Sequence, residues 1–285
     1  MTRPLCIACI ALLLVIATRP VASQEPVADP QFTILVVNDD GFHEPGLLAL
    51  VDSLAPIARL VVAAPRTQQS GTGHGITHSD PIRVSTAGNP YGITWYAVDA
   101  RPATCVSLAL TTLLDTLPDL VVSGVNLGEN VGLSAWLSGT VAGARQAVFH
   151  GVPAIAVSAG AGGFRDFAVA AGYVRALVEQ LRAGGLLAHP LLLNVNVPAG
   201  GAERIRGVRV VRMSLTPGAQ RFDRRLTPSG QVYYWSDRSP VADDGEGTDV
   251  HAFNRGYITV TPLSIDQTDA SRMPDLRTSL GREDR

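Results

Sequence analysis

The sequence predicts an α/β protein: a mostly parallel sheet with helices on both faces, followed by a C-terminal antiparallel β-arm. Three observations carry that reading. From residue 32 to about residue 204, short apolar β-branched runs alternate with stretches of helical apolar spacing. Such alternation marks strand–helix–strand units whose strands are buried on both faces. Beyond residue 205, strand-like runs continue without good helices between them. The 285 residues are 46% hydrophobic and 17% charged, with 28 Gly and 19 Pro, which is enough apolar material for a core and many turns.

Taken in order, residues 5–17 form an uncharged apolar run after Arg3. The run fits a signal-peptide core and is short for a bilayer span. Small residues Val21, Ala22 and Ser23 offer a cleavage point, so residues 1–23 read as a signal peptide and 24–31 as a short linker. An exported chain, periplasmic or secreted, is the expectation, with no stable membrane anchor after cleavage. Removal of Cys6 and Cys9 leaves Cys105 alone, unable to form an internal disulfide and best read as a small core residue.

The core spans 32–204. Residues 33–37 and 59–63 read as buried strands, with helical spacing over 46–54 between them. Residues 66–80, rich in Gly, Thr, Ser, Gln and His, form a long functional loop. Strands follow at 82–85 and 94–98, then a helix at 103–114, a buried strand at 119–122 and a Gly/Asn loop. A helix at 139–149, a strand at 154–157, a long helix at 164–183 and a strand at 191–195 complete the series. Residues 205–263 form the arm with the last strand, and 264–285 a polar tail.

Charge excludes some functions. A net charge of −2 gives no electrostatic case for a nucleic-acid polymer or an acidic membrane. All 23 basic side chains are Arg. The absence of Lys excludes a Walker-type phosphate loop, a Schiff base and a Ser–Lys dyad.

In an open parallel sheet, ligands bind beyond the carboxyl ends of the strands. Three such ends are chemically unusual: Asn38-Asp39-Asp40-Gly41, Ser70-Gly71-Thr72-Gly73-His74, and Ser123 through Asn126 to Asn130. Adjacent carboxylates repel unless a positive group intervenes, and no Lys can supply it. The nearby hydroxyls and amides are hard oxygen donors, which suit Mg²⁺, Mn²⁺ or Ca²⁺ rather than thiolate-bound zinc. Taken alone, Asp39-Asp40-Gly41 also reads as a plain turn with Asp40 as a helix cap. Ser138-Gly139-Thr140 precedes a helix, where hydroxyls and free N–H groups form either a phosphate cradle or a simple cap.

Competing signatures are weaker. Gly71-Thr72-Gly73-His74-Gly75 lacks the spacing and following helix of a dinucleotide loop. Ser158 lies in a near miss of a nucleophile elbow, with Ala156 in place of the first Gly, which leaves a serine esterase open. His74 and His78 could pair on zinc. A hydrogen-bonding or substrate contact from His74 is the preferred reading.

The chain resembles the SurE family (survival protein E), metal-dependent 5'/3'-nucleotidases, from about Phe32 to Leu263. The likeness rests on Asn38-Asp39-Asp40-Gly41, Ala64-Pro65 followed by Ser70-Gly71, Ser123-Gly124-Val125-Asn126 with Gly128 and Asn130, and Ser138-Gly139-Thr140-Val141. It continues through Leu193-Asn194-Val195-Asn196-Val197-Pro198 and Gly256-Tyr257-Ile258-Thr259 to Leu263. The resemblance implies a Rossmann-like core and an arm exchanged between subunits, hence a homodimer or homotetramer. It implies Asp39, Asp40, Ser70 and Asn126 as ligands of one divalent cation per subunit, Mg²⁺ or Mn²⁺. It also implies Asp39, Asp40 and Asn126 in catalysis, with Asn38, Gly71, His74 and the Ser138–Thr140 turn toward phosphate. Two departures stand out: Ala100-Arg101-Pro102-Ala103-Thr104-Cys105 replaces a Gly-Thr-Pro-x-Asp-Cys segment, and Leu137 stands where Tyr is frequent.

The reaction expected is hydrolysis of nucleoside 5'- and 3'-monophosphates to nucleoside and phosphate. A broad acid phosphatase or short-chain polyphosphatase is the alternative within the class. An inactive nucleotide- or metal-binding protein is the alternative outside it.

Overall fold

The computed structural model describes residues 32–161, 167–218, 220–238 and 242–281. The expected signal peptide and linker lie outside the described residues.

The strands are β1 (Thr33–Val37), β2 (Arg59–Pro65), β3 (Val84–Thr86), β4 (Thr94–Val98), β5 (Leu120–Leu127), β6 (Ala154–Ala159), β7 (Leu192–Val197), β8 (Val208–Val210), β9 (Gln220–Leu226), β10 (Val232–Arg238) and β11 (Ile258–Pro262). The helices are α1 (Pro45–Leu54), α2 (Pro102–Leu108), α3 (Ser134–Leu137), α4 (Gly139–Phe149), α5 (Phe167–Ala183), α6 (Asp249–Asn254) and α7 (Met273–Leu280). Nine strands form one sheet in the order β3-β4-β2-β1-β5-β6-β7-β11-β8. The run from β4 to β7 is parallel; β3 and β11 pair antiparallel with β4 and β7. The expected α/β class and mostly parallel sheet are present, and the expected C-terminal antiparallel arm is found as the separate hairpin of β9 and β10.

The alternation of side chains along β1 divides the core between the two faces. Ile34 and Val36 join Leu47, Leu50 and Leu54 of α1 and Val174 and Val178 of α5. Leu35 and Val37 join Cys105 and Val106 of α2 and Val141, Ala144 and Val148 of α4. Cys105 is buried, a core thiol as the sequence indicated, and burial raises its pKa.

Strand β5 runs further than the sequence indicated, to Leu127 rather than 122. Its register against β6 shifts between Ser123 and Asn126, where one extra residue enters the strand as a bulge. Gly124 adopts φ +139°, and a Cβ there would lie 2.3 Å from the Val157 carbonyl oxygen. Only glycine fits, and beyond the bulge Asn126 pairs with Ser158 of β6, past the last β1 pairing at Val37–Ser123.

Beyond residue 204 the structure is more ordered than the sequence pattern indicates. β8 and β11 extend the main sheet, and only β9 and β10 stand apart as a hairpin. The helix-free reading of this region is corrected by α6. Its N-cap Thr248 accepts a hydrogen bond from the His251 N–H at 3.3 Å. Six residues are too few to show a periodicity. Among the described residues, no helix is long and apolar enough to cross a membrane.

Candidate active site

Strand order reverses between β1 and β5, because β2 lies on one side of β1 and β5 on the other. That is the topological switch point where open α/β sheets leave a crevice. The loop after β1, the bulged end of β5, the loop after β2 and the start of α4 all meet there. They enclose a cavity of about 210 Å³ lined by Asp39, Ser70, Gly71, Asn126 and Ser138, with Leu127, Gly128, Glu129, Asn130, Ser134 and Leu137 completing the wall.

Asn38 is buried and shapes the first loop: its Nδ2 donates to the Gly41 carbonyl at 2.7 Å, and the Gly41 N–H donates to its Oδ1 at 3.2 Å. That closure presents Asp39 and Asp40 together. Asp39 is buried and accepts the Thr140 hydroxyl at 2.5 Å. Burial raises its pKa, while the Thr140 hydroxyl and the N–H groups of Gly139 and Thr140 hold it down. The N-terminus of α4 therefore already receives a carboxylate. Gly139 is required by this approach, since a Cβ there would lie 2.8 Å from both Cβ and Oδ2 of Asp39. Ser138 caps α4, its Oγ accepting the Val141 N–H at 3.2 Å.

Asp40 is pushed up to about 6 by burial first, then by the charges of Asp39 and Glu44; the Leu127 N–H and the Ser70 hydroxyl oppose the rise. Ser70 is thus brought onto the carboxylate pair. The Asn126 Nδ2 donates to the Gly128 carbonyl at 2.6 Å, which leaves its side-chain oxygen for a ligand. No Arg lines this cavity, and the chain has no Lys. Two adjacent carboxylates, both raised by burial and Asp40 also by the charge of Asp39, with hydroxyl and amide oxygens beside them, fit a hard divalent cation. Among the described residues, no group of three or more His, Cys, Asp or Glu side chains gathers on a metal.

The histidines lie elsewhere. The His74 ring stacks on Phe149 with centroids 5.1 Å apart, and its Nε2 meets the Gln146 Oε1 at 2.8 Å, so it packs on α4. His78 lines a separate cavity of about 540 Å³. They do not form a pair. The serine-esterase reading fails because Ser158 is fully buried and its Oγ accepts the Asn130 Nδ2 at 2.9 Å.

Sequence reasoning gave the supporting shell no role. Asn130 is gripped from β6 and β7: its N–H donates to the Asn196 Oδ1 at 2.7 Å, and its carbonyl accepts the Asn194 Nδ2 at 2.8 Å. Asp249 was not singled out. It is fully buried, with Oδ2 accepting the Gly132 N–H at 2.8 Å and Oδ1 the Ser214 N–H at 2.8 Å. The loop between β5 and α3 is therefore fixed at both Asn130 and Gly132. The departure at 100–105 keeps the long loop anchored: the Thr77 N–H donates to the Thr104 Oγ1 at 2.8 Å, and the Arg101 N–H to the Thr77 Oγ1 at 3.1 Å.

A carboxylate-bearing crevice at the switch point of the sheet, lined with hard oxygen donors, defines the class of this protein as a doubly wound α/β protein with its ligand crevice at the strand ends. Comparison with known proteins makes the class specific. The family model "Survival protein SurE" matches residues 34–219. The 5'-nucleotidase SurE of Heliobacterium modesticaldum is 43% identical over 251 residues, covering 87% of this chain and 92% of that protein. The 5'-nucleotidase SurE of Methylobacillus flagellatus is 40% identical over 245 residues, covering 86% and 97%. The crystal structure of the SurE protein from Aquifex aeolicus superposes with a TM-score of 0.74 at 34% identity, covering 87% of this chain and 99% of that one. The chain belongs to the SurE family.

Proposed function

We propose that this chain is a divalent-metal-dependent nucleotidase that cleaves nucleoside monophosphates to nucleoside and inorganic phosphate. The observation that carries the reading is the meeting of Asp39, Asp40, Ser70 and Asn126 at one crevice, in a chain about 40% identical to proteins named 5'-nucleotidase. Asp39, Asp40, the Ser70 hydroxyl and the Asn126 side-chain oxygen would hold the cation, with Mg²⁺ or Mn²⁺ preferred for an all-oxygen set. The bound cation supplies charge that draws in the phosphoryl oxygens and acidifies a water.

The chain's own groups do the rest. Thr140 and the first N–H groups of α4 fix the rotamer of Asp39. Asp40, which burial and the Asp39 charge push up to about 6 before a cation binds, would orient the attacking water and take its proton. The Gly128 carbonyl holds the Asn126 amide in place. Ser138 and Gly71, on the cavity wall, confine the phosphate to one approach.

The family's 3'-nucleotidase activity belongs to the same proposal. So does assembly into a homo-oligomer, which the exposed aromatic hairpin of β9 and β10 supports. Export to the periplasm or beyond is proposed on the leader-like composition of residues 1–23. The test is phosphate release from 5'- and 3'-nucleoside monophosphates and an aryl phosphate, with Mg²⁺, Mn²⁺ or chelator. The expected result is metal-dependent release that ranks nucleotides above the aryl ester. A folded protein that binds nucleotide and metal without turnover would overturn the enzyme reading. Equal rates on all esters would make it a general phosphatase.

A further inference from the structure

We propose that Glu129 sets the substrate class of this site: it admits phosphomonoesters with an uncharged leaving group and discriminates against those carrying a second phosphate. The inference rests on the nucleotidase reading above and narrows it.

The crevice measures about 210 Å³, below the roughly 300–1,000 Å³ of pockets that enclose a whole small ligand. It takes the phosphoryl group, and the leaving group must lie across the rim. That rim has a definite chemistry. Leu127 and Leu137 line the cavity yet remain 39% and 56% exposed, which gives the mouth two apolar lips. Glu129 stands on the same wall, exposed, and makes no ion pair among the described residues. No Arg lines the cavity, and the chain has no Lys. A nucleoside offers such a rim an apolar base and neutral hydroxyls.

A second phosphate on the leaving group meets Glu129 instead, with no cation on the wall to offset it. Asp39 and Asp40 would balance a bound divalent cation, which leaves Glu129 as the carboxylate of the cavity wall with no offsetting charge beside it. Two like charges across a wet rim change an equilibrium by about tenfold, less as salt rises. The loop that carries Glu129 is held at Asn130 and Gly132, so the carboxylate stays at the rim. This reading argues against short-chain polyphosphate as a good substrate, since every leaving group there is anionic.

The experiment compares an adenosine 5'-monophosphate with an adenosine 3',5'-bisphosphate, using kcat/KM in one preparation of the full chain with Mg²⁺ or Mn²⁺. The ratio cancels differences in active fraction, so a partly folded variant still reports. The unaltered chain is expected to favour the monophosphate. Glu129→Gln is expected to shrink that preference about tenfold, Glu129→Arg to shrink it further, and Glu129→Asp to retain it. High salt is expected to narrow the preference in the unaltered chain and to leave Glu129→Gln unmoved. An identical ratio in the unaltered chain, Glu129→Gln and Glu129→Arg would overturn the inference while leaving the nucleotidase reading in place. Absence of release from the monophosphate by the unaltered chain would overturn both.

Discussion

The Asp39 carboxylate occupies space that no side chain at position 139 can share, and this contact decides how sharply the site tolerates change. Gly139→Ala places a methyl group where Asp39 already lies at 2.8 Å. We expect kcat/KM to fall by about 10² or more, since small misplacements of a reacting constellation are costly, with only a modest loss in thermal midpoint. Thr140→Val removes the donor at 2.5 Å and leaves a buried carboxylate short of a partner, whereas Thr140→Ser keeps it. Loss in the first variant and retention in the second, measured as metal affinity by calorimetry, would show that the hydroxyl positions Asp39. Asp40 gives the pH dependence. Its folded-state pKa of about 6 stands above the ordinary 3.8, so the metal-free fold keeps a proton that the unfolded chain has released. Across that interval the metal-free fold therefore loses stability as pH rises. A cation that binds the carboxylate form reverses the penalty. The rise in melting temperature on adding Mg²⁺ should be small near about pH 5 and grow through about pH 7. A metal-induced shift constant over that range would place the cation away from Asp40.

A short helix far along the chain holds one wall of the site. Asp249 opens α6 and receives the Gly132 N–H across 117 residues of sequence, besides those of Ser214 and Val250. Asp249→Asn turns an acceptor-only group into one that points an N–H at backbone donors. Leaving a buried backbone donor without its partner costs about 1–3 kcal/mol. The expected outcome is a lower melting temperature, with faster hydrogen exchange in residues 127–134 than in β1 or β2. Uniform exchange across the chain would mean the latch serves global stability alone. The same contrast between local and distant causes explains what the sequence made legible. β1 and α4 could be read because a doubly buried strand and an eleven-residue helix carry their own patterns. The candidate crevice could be read because strand-end placement and family motifs pointed to the same three loops, which the structure brings together. The continuation of β5 could not, since Gly124-Val125-Asn126-Leu127-Gly128 has loop composition and extends only because Val157 leaves room for a glycine. β9, Gln-Arg-Phe-Asp-Arg-Arg-Leu, has only Phe222 and Leu226 as apolar residues on one face, interrupted by Arg224, too sparse an alternation to read as a strand. His74 sits in a glycine-rich loop yet is drawn to α4 by Phe149 and Gln146, a tertiary preference invisible in its neighbours.

Across the whole molecule, the proposed catalytic residues and the proposed associating hairpin are separated along the chain. Every proposed ligand and phosphate-facing residue lies between Asn38 and Thr140, whereas β9 and β10 pair only with each other. An isolated two-stranded hairpin is marginal in water. This one leaves Phe222 60%, Tyr234 61% and Trp235 61% exposed, and apolar aromatic surface of that kind marks an interaction site. A second copy of the chain is the proposed cover. Light scattering should therefore give the unaltered chain a mass that is a multiple of the single chain, and Tyr234→Ser with Trp235→Ser should shift it to a smaller species. The residues proposed as ligands all lie on one chain between Asn38 and Thr140, so turnover per subunit is expected to survive that shift within a few-fold. Collapse of activity together with the assembly would instead mean that the partner's hairpin completes the crevice. An unchanged mass in the double variant would show that association does not depend on this hairpin.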